Sequence, residues 1–266
     1  MFLAPYIKSA QIKLQDTMNF RVSFLIRLFT NFLYSYATVA IWYAVVTLNA
    51  NSLSPELALK TIKFSILSAA IGSVVFSISG YEIASRLNEG TIARDLLYPV
   101  SLPSVLFAQA VGNAISVFIT NMAPILIALS LIYGISWNPA PLAIINLCIG
   151  MLLGFILMFL VNFIIDMISF WYLGTMYCHY IKEAIMVVFC GSFVPLWFYP
   201  RWLLNIVNVL PFKDIIFTPI AGFLGERADI SLLSVYGVTL LWLVILFAGA
   251  YFMWTAGVKK VVAQGG

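Results

Sequence analysis

Three long stretches of this chain carry no charged side chain: from Arg27 to Glu56, from Asp95 to Asp166, and from Asp229 to Lys259. A helix needs about 20 consecutive apolar residues to cross the ~30 Å hydrocarbon core of a bilayer. In that core every backbone group must be satisfied internally, which leaves helices as the simplest spanning element. Each of the three stretches is long enough. Charged residues make up only 9% of the 266-residue chain and hydrophobic ones 63%, whereas soluble domains carry about 25% charge. The expected fold is therefore all-α: one polytopic transmembrane domain over residues 1–266.

Little chain is left over for a soluble domain. There is no G-x-x-x-x-G-K-[ST] loop to cradle phosphates and no G-x-G-x-x-G opening a helix. Any work driven by nucleotide hydrolysis must come from another polypeptide. The net charge of +4 is small and its basic residues are scattered, which argues against nucleic acid as a partner. Cys148 and Cys190 lie in apolar runs and Cys178 in an expected loop, so all three read as buried structural thiols. The first twenty residues are broken by Lys8, Lys13 and Asp16, unlike a signal peptide. Ile7, Ala10, Leu14 and Met18 recur at helical spacing, predicting an amphipathic interfacial helix over 1–20.

About six spans follow, at roughly 22–48, 62–85, 104–135, 141–169, 182–199 and 232–257. Ser54-Pro55-Glu56 is a helix-start signal, and the second span is rich in serine, alanine and glycine, which favours packing against other helices. Trp137 to Pro141 breaks the longest apolar run. With both termini in the cytoplasm, Lys8, Lys13, Arg21, Arg27, Arg86, Arg94, Lys182, Lys259 and Lys260 fall inside. Lys60, Lys63, Arg201, Lys213 and Arg227 then fall outside. The majority inside sets the expected orientation.

Two breaks carry the functional signal. Between the second and third spans, over 86–103, Asn88 and Gly90 can end a helix, and Thr91 to Tyr98 can form a short one stopped by Pro99. Ile92, Leu96 and Leu97 would be its apolar contacts, and Glu82 precedes Arg86 at ion-pair spacing. Such a helix either docks on a soluble partner or simply anchors a turn. After the fifth span, Pro195, Pro200, Pro211 and Pro219 punctuate pieces too short to span. Trp202–Leu210 and Ile215–Leu224 read as two short helices dipping into the outer leaflet within 200–228, or as a surface-lying apolar loop.

Together these regions resemble permease subunits of ATP-binding-cassette exporters of the type-2 membrane family, and in particular the bacterial six-helix permeases. The resemblance rests on Arg86…Glu89-Gly90-Thr91…Leu96-Leu97…Pro99-Val100-Ser101 and on Ile168-Ser169-Phe170-Trp171. It rests equally on Gly191…Pro195-Leu196…Phe198-Tyr199-Pro200-Arg201-Trp202-Leu203, then Leu210-Pro211-Phe212 and Pro219…Gly225. Tyr199 departs from a common phenylalanine. The resemblance implies a coupling helix that receives motion from a soluble ATPase, which alone binds ATP and magnesium. It also implies a second permease, identical or related, in the bacterial cytoplasmic membrane, with transport directed outward. By that analogy Arg86, Glu89, Gly90, Thr91, Arg94, Asp95, Leu96 and Leu97 form the coupling region, and Tyr177, His179, Lys182 and Glu183 add contacts from a second cytoplasmic loop. Gly191, Pro195, Pro200, Trp202, Pro211, Phe212 and Pro219 then belong to an outer re-entrant segment.

Two other classes compete with an exporter. An ion-coupled transporter would use Asp166 and Glu82, although both sit near cytoplasmic span ends, where an interfacial or capping role is expected. An intramembrane hydrolase would have to pair Ser79 with His179, the only histidine, which is expected in a loop. No catalytic residue and no metal site is expected. With little charge at mid-depth, the expected cargo is apolar or amphipathic: a lipid, a drug or a peptide.

Overall fold

The computed structural model describes residues 4–19, 21–49, 52–78, 80–172, 175–226 and 232–264. The described residues form helices α1 (Ala4–Asn19), α2 (Arg21–Leu48), α3 (Pro55–Val75), α4 (Glu82–Asn88), α5 (Ile92–Leu96) and α6 (Leu102–Val117). A π turn (Phe118–Met122) continues α6 into α7 (Ala123–Ile132). Then come α8 (Pro141–Met167), α9 (Met176–Phe189), α10 (Arg201–Val209), α11 (Lys213–Phe223) and α12 (Leu232–Gln264). Five segments are long and apolar enough to cross a bilayer: Leu25–Leu48, Pro55–Val75, Leu102–Ile132, Pro141–Phe170 and Val235–Val261. A sixth is counted if α10 and α11, bent by 106°, form one broken element. The protein is an all-α, multi-pass membrane protein.

Local chemistry sets the breaks. The Ser54 hydroxyl accepts from the Leu57 amide at 3.3 Å, with Pro55 opening the helix and Glu56 in its first turn. Pro124 has no amide to offer the Thr120 carbonyl, and the adjoining turn widens to π geometry. The expected second span, 62–85, is corrected at both ends: α3 starts at Pro55 and stops at Val75. Near its end the Ser73 and Ser77 hydroxyls bond the Ala70 and Val74 carbonyls at 2.6 and 2.7 Å, competing with the helical ladder. The chain then leaves the helix before α4.

The expected fifth span, 182–199, is also corrected. Its helix, α9, begins earlier and has 14 residues, about 21 Å at the usual rise and short of the ~30 Å core. Gly191 takes φ 65°, a left-handed value open to glycine. The Ser192 carbonyl then accepts from the Ser68 hydroxyl of α3 at 2.7 Å. The passage continues as irregular chain and a 3₁₀ turn, Leu196–Phe198.

The small-residue helix α3 runs through the core, with Phe64, Ile66, Ala70 and Ile71 fully buried. Against it pack Ile215, Ile216 and Ile220 of α11. Phe29 on α2 and Phe247, Tyr251 and Phe252 on α12 face outward. Lipid offers no hydrophobic drive between helices, so close approach depends on small residues. Gly150 and Gly154 of α8 let α11 in: a Cβ at Gly154 would lie 2.9 Å from the Ile215 backbone, and one at Gly150 2.5 Å from Pro219. Gly112 of α6 likewise receives the Ala10 backbone of α1. Cys190 is buried as expected, whereas Cys148 faces outward and Cys178 sits in α9 rather than in a loop.

Candidate functional site

At one end of the bundle α4 and α5 form a clasped hairpin. Gly90, at φ 69°, ends α4 in a Schellman arrangement: its amide bonds the Leu87 carbonyl at 3.1 Å and the Thr91 amide bonds that of Arg86 at 2.9 Å. Arg86 Nη1 donates to Asp95 Oδ2 at 2.5 Å, and its Nη2 lies 3.9 Å from Glu82 Oε2. Lys13 Nζ of α1 donates to Glu82 Oε1 at 3.1 Å. Ile92 is buried and Leu96 half-buried against the core, while Leu97 is 85% exposed. Of the three expected apolar contacts, Leu97 therefore points away from the bundle. It shares the outer rim with Glu89, Gly90, Arg94 and Tyr98.

Behind this hairpin lies a buried polar node. The Asp166 carboxylate of α8, 3% exposed, accepts from the Ile83 amide at 2.6 Å (Oδ2) and from the Ala84 amide at 3.2 Å (Oδ1). It caps α4 from another helix, meeting the free amides and positive end of the helix dipole. One turn earlier on α8, Asn162 Nδ2 donates to the Ile78 carbonyl at 3.0 Å, and its Oδ1 accepts from Lys182 Nζ at 2.6 Å. His179 Nε2 lies 3.9 Å from Asp166 Oδ1. A Cβ at Gly80 would meet His179 at 2.5 Å and Asn162 Oδ1 at 2.9 Å, so only glycine admits this packing.

The expected second-loop group therefore splits. His179 and Lys182 are buried in α9, not in a loop, whereas Tyr177 and Glu183 face outward. Ser79 and Arg227 lie outside the described residues. A cavity of about 240 Å³ adjoins the node, bordered by Lys13, Arg27, Glu82, Asn113, Asn162 and Asp166.

The opposite end is closed by α10 and α11. Pro200 caps α10, Trp202 and Val209 face outward, and buried Pro211 with half-buried Phe212 makes the 106° bend. Contacts fix the register of α11 on α8: Asn146 meets Gly222, Gly150 meets Pro219 and Gly154 meets Ile215. The two helices run antiparallel. Gly154 lies thirteen residues into α8, about 20 Å from its start. The bend before Lys213 is thus the deep tip of the α10–α11 hairpin, from which α11 returns to the start of α8. Pro195 is buried, and a Cβ at Gly191 would lie 2.9 Å from Leu196.

At the tip Asp214 is 1% exposed, and its carboxylate accepts hydrogen bonds from the Thr218 and Thr239 hydroxyls at 2.5 Å each. The Thr218 bond lies within α11, and the Thr239 bond ties α11 to α12. Between the hairpin, α3, the 137–140 loop and the start of α8 opens a cavity of about 880 Å³. Glu56, Lys60 and Lys63 of α3 face it at i, i+4 and i+7, with Trp137, Trp197 and Lys213.

Sequence reading passed over Asn162 and Asp214, and it counted Lys60, Lys63 and Lys213 only as outer charges. It expected little charge at mid-depth and gave no account of Asp214, which is buried at the inner end of α11. One available signal was Lys60 and Lys63 inside an otherwise apolar span; another was Asn162 four residues before Asp166, on one helical face.

A family model described as ABC-2 family transporter protein matches residues 33–265. No curated protein and no solved structure matches the chain.

Proposed function

The chain belongs to the ABC-2 family of transporter proteins, and on that premise we propose that it is the permease subunit of an ATP-driven exporter. A soluble ATP-binding-cassette ATPase binds the nucleotide and magnesium. Two permeases, identical or related, face each other in a bacterial cytoplasmic membrane with their termini inside, and the cargo is amphipathic.

The observation that carries this reading is the mounting of the α4–α5 hairpin. Its rim offers Glu89, Arg94, Leu97 and Tyr98 to a partner, while its base is fixed to α1, to α8 and to the core. Asp166 caps α4 from α8, Lys13 ties Glu82 to α1, and Ile83 and Ile92 pack into the core. A push on the rim is therefore delivered to the spans rather than absorbed by a loose loop, as a coupling helix requires. With both Asp166 oxygens engaged by backbone amides, the positioning role accounts for this carboxylate without a proton relay. At the far end the α10–α11 hairpin is the re-entrant outer segment, covering the exit of the path.

Purification from the native cell in mild detergent tests the reading. It should bring down an ATPase with a phosphate-cradling loop, and Arg94→Glu should release it. If no ATPase is recovered even after crosslinking, the exporter reading fails.

A further inference from the structure

The cavity beside the re-entrant hairpin has the chemistry of a receptor for an anionic head group. Lys60 and Lys63 lie five and eight residues into α3, about 8 and 12 Å along it. An ammonium inside a spanning helix is costly and marks a pathway or a ligand. Two indole faces hold these ammoniums at the cavity wall: Lys60 Nζ lies 5.0 Å from the Trp197 ring and Lys63 Nζ 5.8 Å from the Trp137 ring. Lys213 adds a third ammonium from the hairpin tip, where it donates to Asn208 Oδ1 at 2.7 Å.

Two carboxylates share the lining, Glu56 and Glu226, and Glu226 is already ion-paired with Lys60. Lys63 forms no ion pair among the described residues. The Asp214 carboxylate is turned to its two threonines. Among the described lining residues three ammoniums, Lys60, Lys63 and Lys213, face two carboxylates, Glu56 and Glu226, beside apolar walls made by Leu142, Leu204 and Phe217.

We propose that this cavity binds the phosphate or carboxylate head of an amphipathic anion, with Lys63 as the principal contact and its apolar part along Leu204 and Phe217. The inference deepens the exporter reading, since it assigns the cargo to the amphipathic anions rather than to neutral lipids or cationic drugs. A charge presented at this depth meets compensating ammoniums instead of bare hydrocarbon.

The test uses the full chain, without any ATPase, in phosphatidylcholine nanodiscs. Its tryptophan fluorescence is titrated with octyl phosphate, octyl glucoside and inorganic phosphate. Octyl phosphate should bind saturably, about tenfold more tightly than octyl glucoside, equivalent to about 1.4 kcal/mol. Lys63→Ala should weaken octyl phosphate about five- to tenfold, and Lys63→Arg should retain it within about twofold. Both variants should elute and melt like the parent. Equal binding of the two octyl compounds, or a Lys63→Ala titration matching the parent, overturns the proposal. Inorganic phosphate binding as tightly as octyl phosphate overturns it too, by making this a free-anion site. Because no ATPase is present, failure here leaves the exporter reading standing, and failure to recover an ATPase leaves this site standing.

Discussion

Replacing Asp166 with alanine should detach α4 from the bundle, and the size of the effect follows from its two hydrogen bonds. The amides it accepts, at 2.6 and 3.2 Å, belong to Ile83 and Ala84, which are 0% and 3% exposed. Leaving a buried donor unsatisfied costs about 1–3 kcal/mol, and loss of a helix cap costs about 0.5–2 kcal/mol. With only seven residues, α4 has too few internal bonds to hold itself. The expected loss is about 3 kcal/mol. At about 2–4 °C per kcal/mol, that lowers the apparent melting midpoint by about 6–12 °C. Asp166→Asn keeps one acceptor oxygen and should lose about half as much. Heating followed by size-exclusion reads the midpoint, and hydrogen–deuterium exchange over residues 82–88 reads the helix. If Asp166→Ala melts like the parent with unchanged exchange there, the capping argument is wrong. Should Asp166→Asn be fully stable yet unable to transport, the carboxylate is acting as an ion site instead.

Arg94 and Asp95 should separate although they adjoin. Arg94, 69% exposed, can become alanine within about 0.5 kcal/mol while ATPase stimulation falls. Asp95→Ala opens the clasp with Arg86 and should cost about 1–3 kcal/mol in the same melting assay; equal behaviour of the two would contradict the clasp. Gly154→Ala drives a Cβ to 2.9 Å from the Ile215 backbone and should cost about 1–3 kcal/mol. Gly249→Ala on α12 meets nothing within 4 Å and should be neutral or slightly stabilising, by circular dichroism melting of both variants.

What the sequence determined by itself follows from one-dimensional physics. Charge-free length dictated a multi-pass helical protein, because hydrocarbon tolerates neither charge nor an unpaired backbone. Ser54-Pro55-Glu56 and the prolines around α10 and α11 marked element edges, since capping and the missing proline amide act within a turn. Four expected spans lie within a few residues of the observed ones. The two corrected spans failed at contacts distant in sequence. α3 ends at Val75 and α4 restarts on a carboxylate more than eighty residues away, and α9 is completed by a chain segment lying against Ser68 of α3. The same holds for the polar groups. Periodicity could place Lys63 on the face of α3 shared with Glu56 and Lys60. Only the return of α11 along the glycines of α8 turned that face toward a cavity and carried Lys213 and Asp214 to its depth. Burial of a charge is decided by its neighbours in space, and those neighbours are set by packing, not by spacing along the chain.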